Sequence, residues 1–335
     1  MNKKVYIHIG THKTGSTSIQ QFLYANRDRL KEFEYDYPDV GIGQGAHHRL
    51  SAQLVKQHNL SIFQKNDSDR DFEIGKFPRW LKLKNYIEAS ESPNFIISSE
   101  EFEWLTAPEA IPELLGKYDY KIILNLRRQD AYLESLYQTF VKSSQRRMKI
   151  TIRQWSDRVL SNLQYHNYLR LVERWADVFG KANMMVGVFE DEVDKGLEKG
   201  FLERIGIENV EESKLQFLDE KWLMVQRQGM DSRCLEFLRL CNAQPFGKEK
   251  HSAILSALME VSREFKEQGL FSKALFTQKR RWEIMNSVAV SNESLREHYF
   301  PHKTKLFPDI EPEADEVKKS LTRVVPLFMR HYESD

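Results

Sequence analysis

Short apolar runs alternate with longer stretches of helical spacing along the first two thirds of this chain. Val5-Tyr6-Ile7-His8-Ile9 is the first run, and Ile19, Phe22 and Leu23 follow at i, i+3, i+4, the stripe of a helix laid on a sheet. The strand pattern recurs at Asn94-Phe95-Ile96-Ile97-Ser98-Ser99, at Lys121-Ile122-Ile123-Leu124-Asn125-Leu126 and at 184–189, Met-Met-Val-Gly-Val-Phe. Runs this apolar predict strands buried on both faces, as in a parallel sheet. Between them the spacing predicts a short helix near 108–116, a helix after Arg128, and helices at 151–160, 165–179 and 195–205. The stripe Tyr168, Leu171, Val172, Trp175, Phe179 is a core face. Beyond 215 the pattern is helical throughout, at 220–241, 249–267, 279–298 and 313–330. The expected fold is therefore α/β, a parallel sheet with helices on both faces and a helical C-terminal extension. The order of elements divides the chain into a core over 1–210, with an insert near 31–93, and a helical subdomain over 211–335 packed on that core. Within the insert, Tyr35-Asp36-Tyr37-Pro38 and Gly41 to Gly45 read as loop, Trp80 to Ala89 as helix, and the polar stretch Asn66 to Asp71 as mobile.

The chemistry concentrates where the first strand meets the first helix, at Gly10-Thr11-His12-Lys13-Thr14-Gly15-Ser16-Thr17. A helix N-terminus carries unpaired N–H groups and partial positive charge, so it attracts phosphate. Gly15 lets the backbone pass close to an anion. Ser16 and Thr17 offer helix caps and hydroxyl donors, and Lys13 adds a mobile charge. The glycines have Walker A spacing, but a nucleotide triphosphatase places its lysine directly after the second glycine. Here Ser16 stands there and the lysine lies inside the loop. The plainer reading is an ordinary Gly-Ser-Thr turn capping a helix.

A second constellation follows the strand at 121–126. Arg127 stands at the strand end and Ser135 on the next helix, with Asp130 placed to cap that helix. A guanidinium gives charge-assisted bonds to phosphate and a hydroxyl can complete the shell. Arg128 competes with Arg127 for the role, and the plain alternative is a strand-end arginine meeting solvent beside an unremarkable helical serine.

His12-Lys13-Thr14-Gly15-Ser16-Thr17 resembles the 5′-phosphosulfate loop of sulfotransferases that use 3′-phosphoadenosine 5′-phosphosulfate (PAPS). That family's loop reads Pro-Lys-Ser/Thr-Gly-Ser/Thr-Thr, with His12 here in place of proline. The spacing of Arg127 and Ser135 is similar to the family's 3′-phosphate pair. The resemblance covers residues 4–30 and 94–142 with the strand at 184–189, and it looks most like the bacterial, carbohydrate-type branch. It implies a sheet of P-loop-type topology and PAPS as donor. It further implies a donor site of Thr11, His12, Lys13, Thr14, Gly15, Ser16, Thr17, Arg127 and Ser135, with Lys13 on the leaving group. The acceptor is then a hydroxyl, on a carbohydrate or glycoconjugate, and no metal is required. The tryptophan that small-phenol sulfotransferases carry after the loop is absent, with Ser18 and Ile19 there, and so is their C-terminal Arg-Lys-Gly loop.

Sulfuryl transfer needs a base for the acceptor proton. Glu100, with Glu101 beside it, follows the strand at 94–99, at the edge where open α/β sheets bind ligands. The pair His47-His48 offers an imidazole suited to proton transfer near neutral pH. Glu100 ranks ahead of His48. Each also has a plain reading, as a turn-capping carboxylate or a loop histidine.

Composition narrows the field. Lys+Arg of 50 against Asp+Glu of 49 leaves a net charge of +1, which argues against a nucleic-acid binder. Local basic clusters, Lys142-Arg146-Arg147-Lys149-Arg153 and Lys279-Arg280-Arg281, read as solvated faces or as anion contacts. Cys234 and Cys241 lie seven apart in a helical pattern, about 10 Å of rise, too far for a disulfide. Reduced thiols, no signal peptide and no apolar run of membrane length give the expectation of a cytoplasmic enzyme. His298 and His302 are separated by a helix-breaking proline and make no metal pair. Oligomeric state is not legible. The rival readings are a P-loop nucleotide kinase or ATPase, and a non-catalytic nucleotide- or glycan-binding module.

Overall fold

The computed structural model describes residues 3–63, 76–161, 167–208, 214–218, 229–311 and 321–332. The expected strands form as β1 (Lys4–Gly10), β3 (Asn94–Ser98), β4 (Asp119–Leu126) and β5 (Met184–Val188). A further strand, β2 (Tyr35–Asp36), lies at the sheet edge, and the all-parallel order is β2-β3-β1-β4-β5. Pleating sends alternate side chains to opposite faces. On one face Tyr6 and Ile123 join Ile19, Phe22 and Leu23 of α1 (Ser16–Ala25) and Phe201 and Leu202 of α9 (Leu197–Arg204). A separate aromatic chain runs Trp80, Phe102, Trp175, Phe179, Tyr120, linking α3 (Pro78–Ala89) and α7 (Tyr168–Phe179) to β4.

Packing divides the chain into two units, residues 1–127 with 168–223, and residues 128–167 with 224–335. This is a different cut from the one at 210. The first unit holds the sheet with α1, α2 (His48–Phe63), α3, α4 (Ala110–Leu115), α7, α8 (Phe189–Lys195) and α9. The second is helical: α5 (Gln129–Lys142), α6 (Ile152–Leu160), α10 (Ser232–Cys241), α11 (Lys248–Glu267), α12 (Gln278–Ser287), α13 (Ala289–Tyr299) and α14 (Val324–Tyr332). Its core gathers Leu133, Leu136, Trp155, Leu235, Leu258, Phe265, Ile284 and Phe328.

Several expectations change. Tyr35–Asp36 is not loop; Asp36 Oδ2 accepts from the Tyr86 hydroxyl at 2.8 Å, a distant partner that local pattern does not reveal. Asp130 does not cap α5, whose N-cap is Arg128. It lies in the first turn and accepts from Arg128 (2.7 Å) and Arg281 (2.7 Å). Arg281 also reaches Glu134 at 2.7 Å, while Arg280 binds Ser156 and Asp157, so this pair of arginines ties helices together rather than forming a solvated face. Arg147 likewise donates to the carbonyls of Phe246 and Gln244. The stretch at 279–298 breaks at Val288; the helix expected at 195–205 forms as α9, and a further helix, α8, ends at Lys195 just before Gly196, where φ is 89°. Both cysteines are free thiols on α10. The polar stretch 66–71 and parts of the helical patterns at 220–241 and 313–330 lie outside the described residues.

Candidate functional site

Strand β1 lies between β3 and β4, and the chain passes from β3 to β4 across it, so the C-terminal ends of these strands enclose the crevice where open α/β sheets bind ligands. The loop 10–15 leaves β1 there. Gly10 has φ of 92°, and a Cβ on it would stand 2.9 Å from Glu100 Cβ and 3.0 Å from Glu100 Cα, so only glycine lets the loop pass β3's end this closely. Thr11 is pinned to β4, its N–H and hydroxyl both donating to Asn125 O, at 3.3 and 3.0 Å. Asn125 Oδ1 in turn accepts from Arg204 (2.7 Å), whose other arm pairs with buried Glu192 at 2.6 Å.

The loop then turns through left-handed conformations at Lys13 (φ 64°) and Gly15 (φ 77°) and enters α1. Gly15, rather than Ser16 or Thr17, is the N-cap, and no side chain caps the helix. The hydroxyls of Thr14 (2.6 Å) and Ser16 (3.2 Å) instead donate to Thr11 O, and Thr17 is exposed. The N–H groups of Lys13, Thr14, Gly15, Ser16 and Thr17 meet no acceptor among the described residues. A row of open N–H groups over alternating handedness at a helix start is an anion nest.

Charged groups surround the nest. Arg127, at the end of β4, donates to Lys13 O at 2.9 Å, lies over the Phe189 ring and receives the Tyr168 hydroxyl on its carbonyl at 2.7 Å. Burial lowers the Lys13 ammonium below the ordinary lysine value, with Glu100 opposing the shift and Arg127 adding to it. Glu100 begins the 3₁₀ turn Glu100–Trp104 after β3 and accepts from the Gln20 amide at 2.7 Å. Burial pushes its carboxyl up, but the Gln20 bond and the nearby imidazoles of His48 and His12 outweigh this and hold it below the ordinary carboxylate value.

The two candidate histidines part company. His47 is fully buried, its Nε2 on Pro38 O (2.9 Å) and its Nδ1 accepting from Ser98 N–H (3.1 Å). Burial lowers its pKa to about 4, so it is a neutral structural pin. His48 Nδ1 meets Ser99 Oγ at 3.0 Å and its Nε2 lies 4.0 Å from Glu100 Oε2. Ser99 Oγ also meets Ser51 Oγ at 2.8 Å. His12 turns to Glu103, whose Oε2 takes both its N–H (2.8 Å) and its Nδ1 (2.6 Å), and its ring stacks on Trp104 at 4.1 Å.

The structure thus brings Thr11 to Thr17, Arg127, Glu100 and His48 to one sheet edge. Ser135 lies half-buried on α5 in the other unit, where its carbonyl accepts from Thr139. Sequence reasoning missed Gln20, Ser99, Glu103 and Trp104, which orient the candidates. It also missed His8, a buried histidine of β1 bonded to Ser98 Oγ at 2.7 Å. The signal for Glu103 was its place three residues beyond Glu100.

No family model matches the chain. An uncharacterized protein of Archaeoglobus fulgidus is 26% identical over 214 residues, covering 63% of this chain and 55% of that protein. The chain therefore spans about half the length of the curated relative it matches. Among solved structures, a sulfotransferase from Alicyclobacillus acidocaldarius is similar at a TM-score of 0.35 with 16% identity, covering 78% of this chain and 97% of that one. The sulfotransferase domain of the Synechococcus PCC 7002 olefin synthase gives a TM-score of 0.35 with 15% identity, covering 78% and 94%. Residue roles in this chain rest on its own geometry. Among the described residues no helix is long and apolar enough to cross a membrane.

Proposed function

We propose that this chain is a cytoplasmic sulfotransferase that moves a sulfuryl group from PAPS to an acceptor hydroxyl on a carbohydrate or glycoconjugate. The observation that carries the reading is the row of open N–H groups from Lys13 to Thr17, set beside the Lys13 ammonium and facing the Glu100 carboxylate from the next strand end. Donors of this kind fit the 5′-phosphate of the donor nucleotide. The donor supplies the sulfuryl group and a phosphate leaving group. Glu100 accepts the acceptor's proton as the acceptor oxygen forms its bond to sulfur, and the sulfur–oxygen bond to phosphate breaks. Lys13 and the loop N–H groups hold the charge that collects on the departing oxygen. Thr17 is the loop hydroxyl left for the phosphate, because those of Thr14 and Ser16 are spent on Thr11 O. Arg127 holds the 3′-phosphate in this reading, and His48 assists Glu100. A carbohydrate acceptor is favoured by the branch of sulfotransferases the loop resembles and by the long segment between β2 and β3. Ser16 counts against a magnesium-dependent kinase, since its hydroxyl faces the loop's own backbone.

The test is calorimetric binding of 3′-phosphoadenosine 5′-phosphate against ATP, without magnesium, for wild type and Arg127→Ala. Preferential binding of the 3′-phosphorylated nucleotide, with the preference lost in the variant, supports the reading. Equal affinity for the two nucleotides in wild type refutes it. Binding without turnover on any acceptor would leave a nucleotide-binding module instead.

A further inference from the structure

His12 occupies an unusual setting for a phosphate-loop residue. Its backbone N–H is turned away from the nest and given to Glu103, so any contact with a bound anion has to come from the ring. The ring's Nδ1 is bonded to the same Glu103 oxygen at 2.6 Å, and the ring plane is clamped against Trp104 at an interplanar angle of 16°. Glu103 is itself fixed, since its carbonyl accepts from Arg174 at 2.8 Å. Nε2 has no partner among the described residues.

A carboxylate on Nδ1 keeps a proton there. The neutral ring must then present a bare Nε2 lone pair, which repels a phosphate oxygen. A second proton turns that nitrogen into a charged donor. Glu103, Glu100 and Glu101 face the ring from the turn after β3, with Lys13 beside it in the loop, Arg127 at the end of β4 and Arg174 on α7 behind Glu103. Burial disfavours the charged ring, but the Glu103 bond and the three carboxylates outweigh it and raise the pKa above the ordinary histidine value.

We propose that His12 acts as an imidazolium, a second cation of the phosphate loop beside Lys13, held by Glu103 and Trp104 and presenting Nε2–H to the bound phosphate. This rests on the phosphate-loop reading and adds a proton-controlled grip to it. The sign follows from linkage: the protonated ring binds the anion, so affinity is full below the raised pKa and falls as pH rises through it.

Two measurements test this. The first follows the His12 ring by NMR through a pH titration of the nucleotide-free protein, in wild type and in Glu103→Gln. The second measures 3′-phosphoadenosine 5′-phosphate affinity from pH 7 to pH 9, above the phosphate's own second ionisation, in wild type and His12→Asn. Asparagine keeps a donor for Glu103 but has no second nitrogen to charge. The expected result is a His12 titration above about 6.5 that drops in Glu103→Gln. With it, wild-type affinity falls about tenfold across the titration while the His12→Asn profile is flatter by that amount. Titration of Lys13 is common to both proteins and cancels in the comparison. A wild-type ring that titrates at or below the ordinary value overturns the proposal, as does an equal fall in both proteins. Failure of wild type to bind the nucleotide at any pH would refute the phosphate-loop reading and with it the grip, whatever the NMR titration shows. Should His12→Asn not fold, the affinity profile of Glu103→Gln decides, and a profile unshifted from wild type overturns the proposal.

Discussion

Gly10 passes close to the backbone of Glu100, and the cost of a side chain there can be worked out against two other glycines. Alanine at Gly10 must adopt a φ of 92° and place a methyl 2.9 Å from Glu100 Cβ and 3.0 Å from its Cα. The left-handed backbone costs about 1–2 kcal/mol, and pressing a methyl into atoms that cannot rotate away adds about 1–3 kcal/mol, for a total of about 2–5 kcal/mol. Gly196 has a similar φ of 89° but nothing within 4 Å of the added carbon, so Gly196→Ala isolates the strain alone, about 1–2 kcal/mol. Gly15→Ala should fall between them, because its nearest obstacle is the mobile tip of Leu197. Urea unfolding read by hydrogen exchange of β1 and β3 amides reports the unit that carries the loop. If Gly10→Ala loses no more than Gly196→Ala, within about 0.5 kcal/mol, the loop is not pressed against the Glu100 backbone and the geometry proposed for the base is wrong.

Other outcomes follow from the same geometry. Burial depresses His8 and His47 to about 4, so their neutral rings contribute stability above the unfolded value of 6.5 that is lost as pH falls from 6.5 towards 4, at most about 3 kcal/mol each. Urea midpoints at pH 7 and pH 5 should differ less in His47→Gln than in wild type, and an equal difference would contradict the buried neutral ring. Arg281→Met leaves Asp130 with Arg128 alone and Glu134 short of a charge partner, which should destabilise by about 3 kcal/mol on denaturant titration; a loss below about 1 kcal/mol would mean the pairs contribute little. Glu100→Gln should lower kcat about 10²–10⁴-fold and exceed the loss in His48→Asn. Because Glu100 is held below the ordinary carboxylate range, it stays ionised and the wild-type kcat at saturating donor should be flat through neutral pH. An acid limb in the wild-type profile that is lost in His48→Asn would pass the base role to His48.

The central strands were legible because each is a continuous apolar run, and burial on both faces leaves no other reading for Val5 to Ile9 or Ile122 to Leu126. β2 was not, since two residues carry no periodicity and its partners lie far off in sequence, with Asp36 completed by Tyr86 of α3. The loop was legible as a donor row because glycine spacing and helix entry are local properties. The helix cap was misassigned to Ser16 or Thr17, since whether Ser16 turns to the helix start or to Thr11 O depends on loop curvature set by Lys13 and Gly15. The difference between His47 and His48 was invisible in sequence. It arises from Ser98 and Pro38 enclosing one ring, while the other reaches Ser99. The partition of α5 and α6 with the later helices was also hidden, because it is decided by partners such as Asn242, which donates to Val141 O.

Glu100 and Arg127 each stand within two residues of the end of their strand, and Lys13 is held to β4 through Arg127. In the proposed reading the donors and the base are therefore anchored at the ends of the central strands. Changes in the stretch between β2 and β3 that spare His47 and His48, which bond Ser98 and Ser99, should leave the donors and the carboxylate in place relative to one another. For directed evolution this separates two searches. On the proposed reading, libraries confined to 52–90 should diversify what is accepted while sparing His48, Ser51 and the groups at the strand ends.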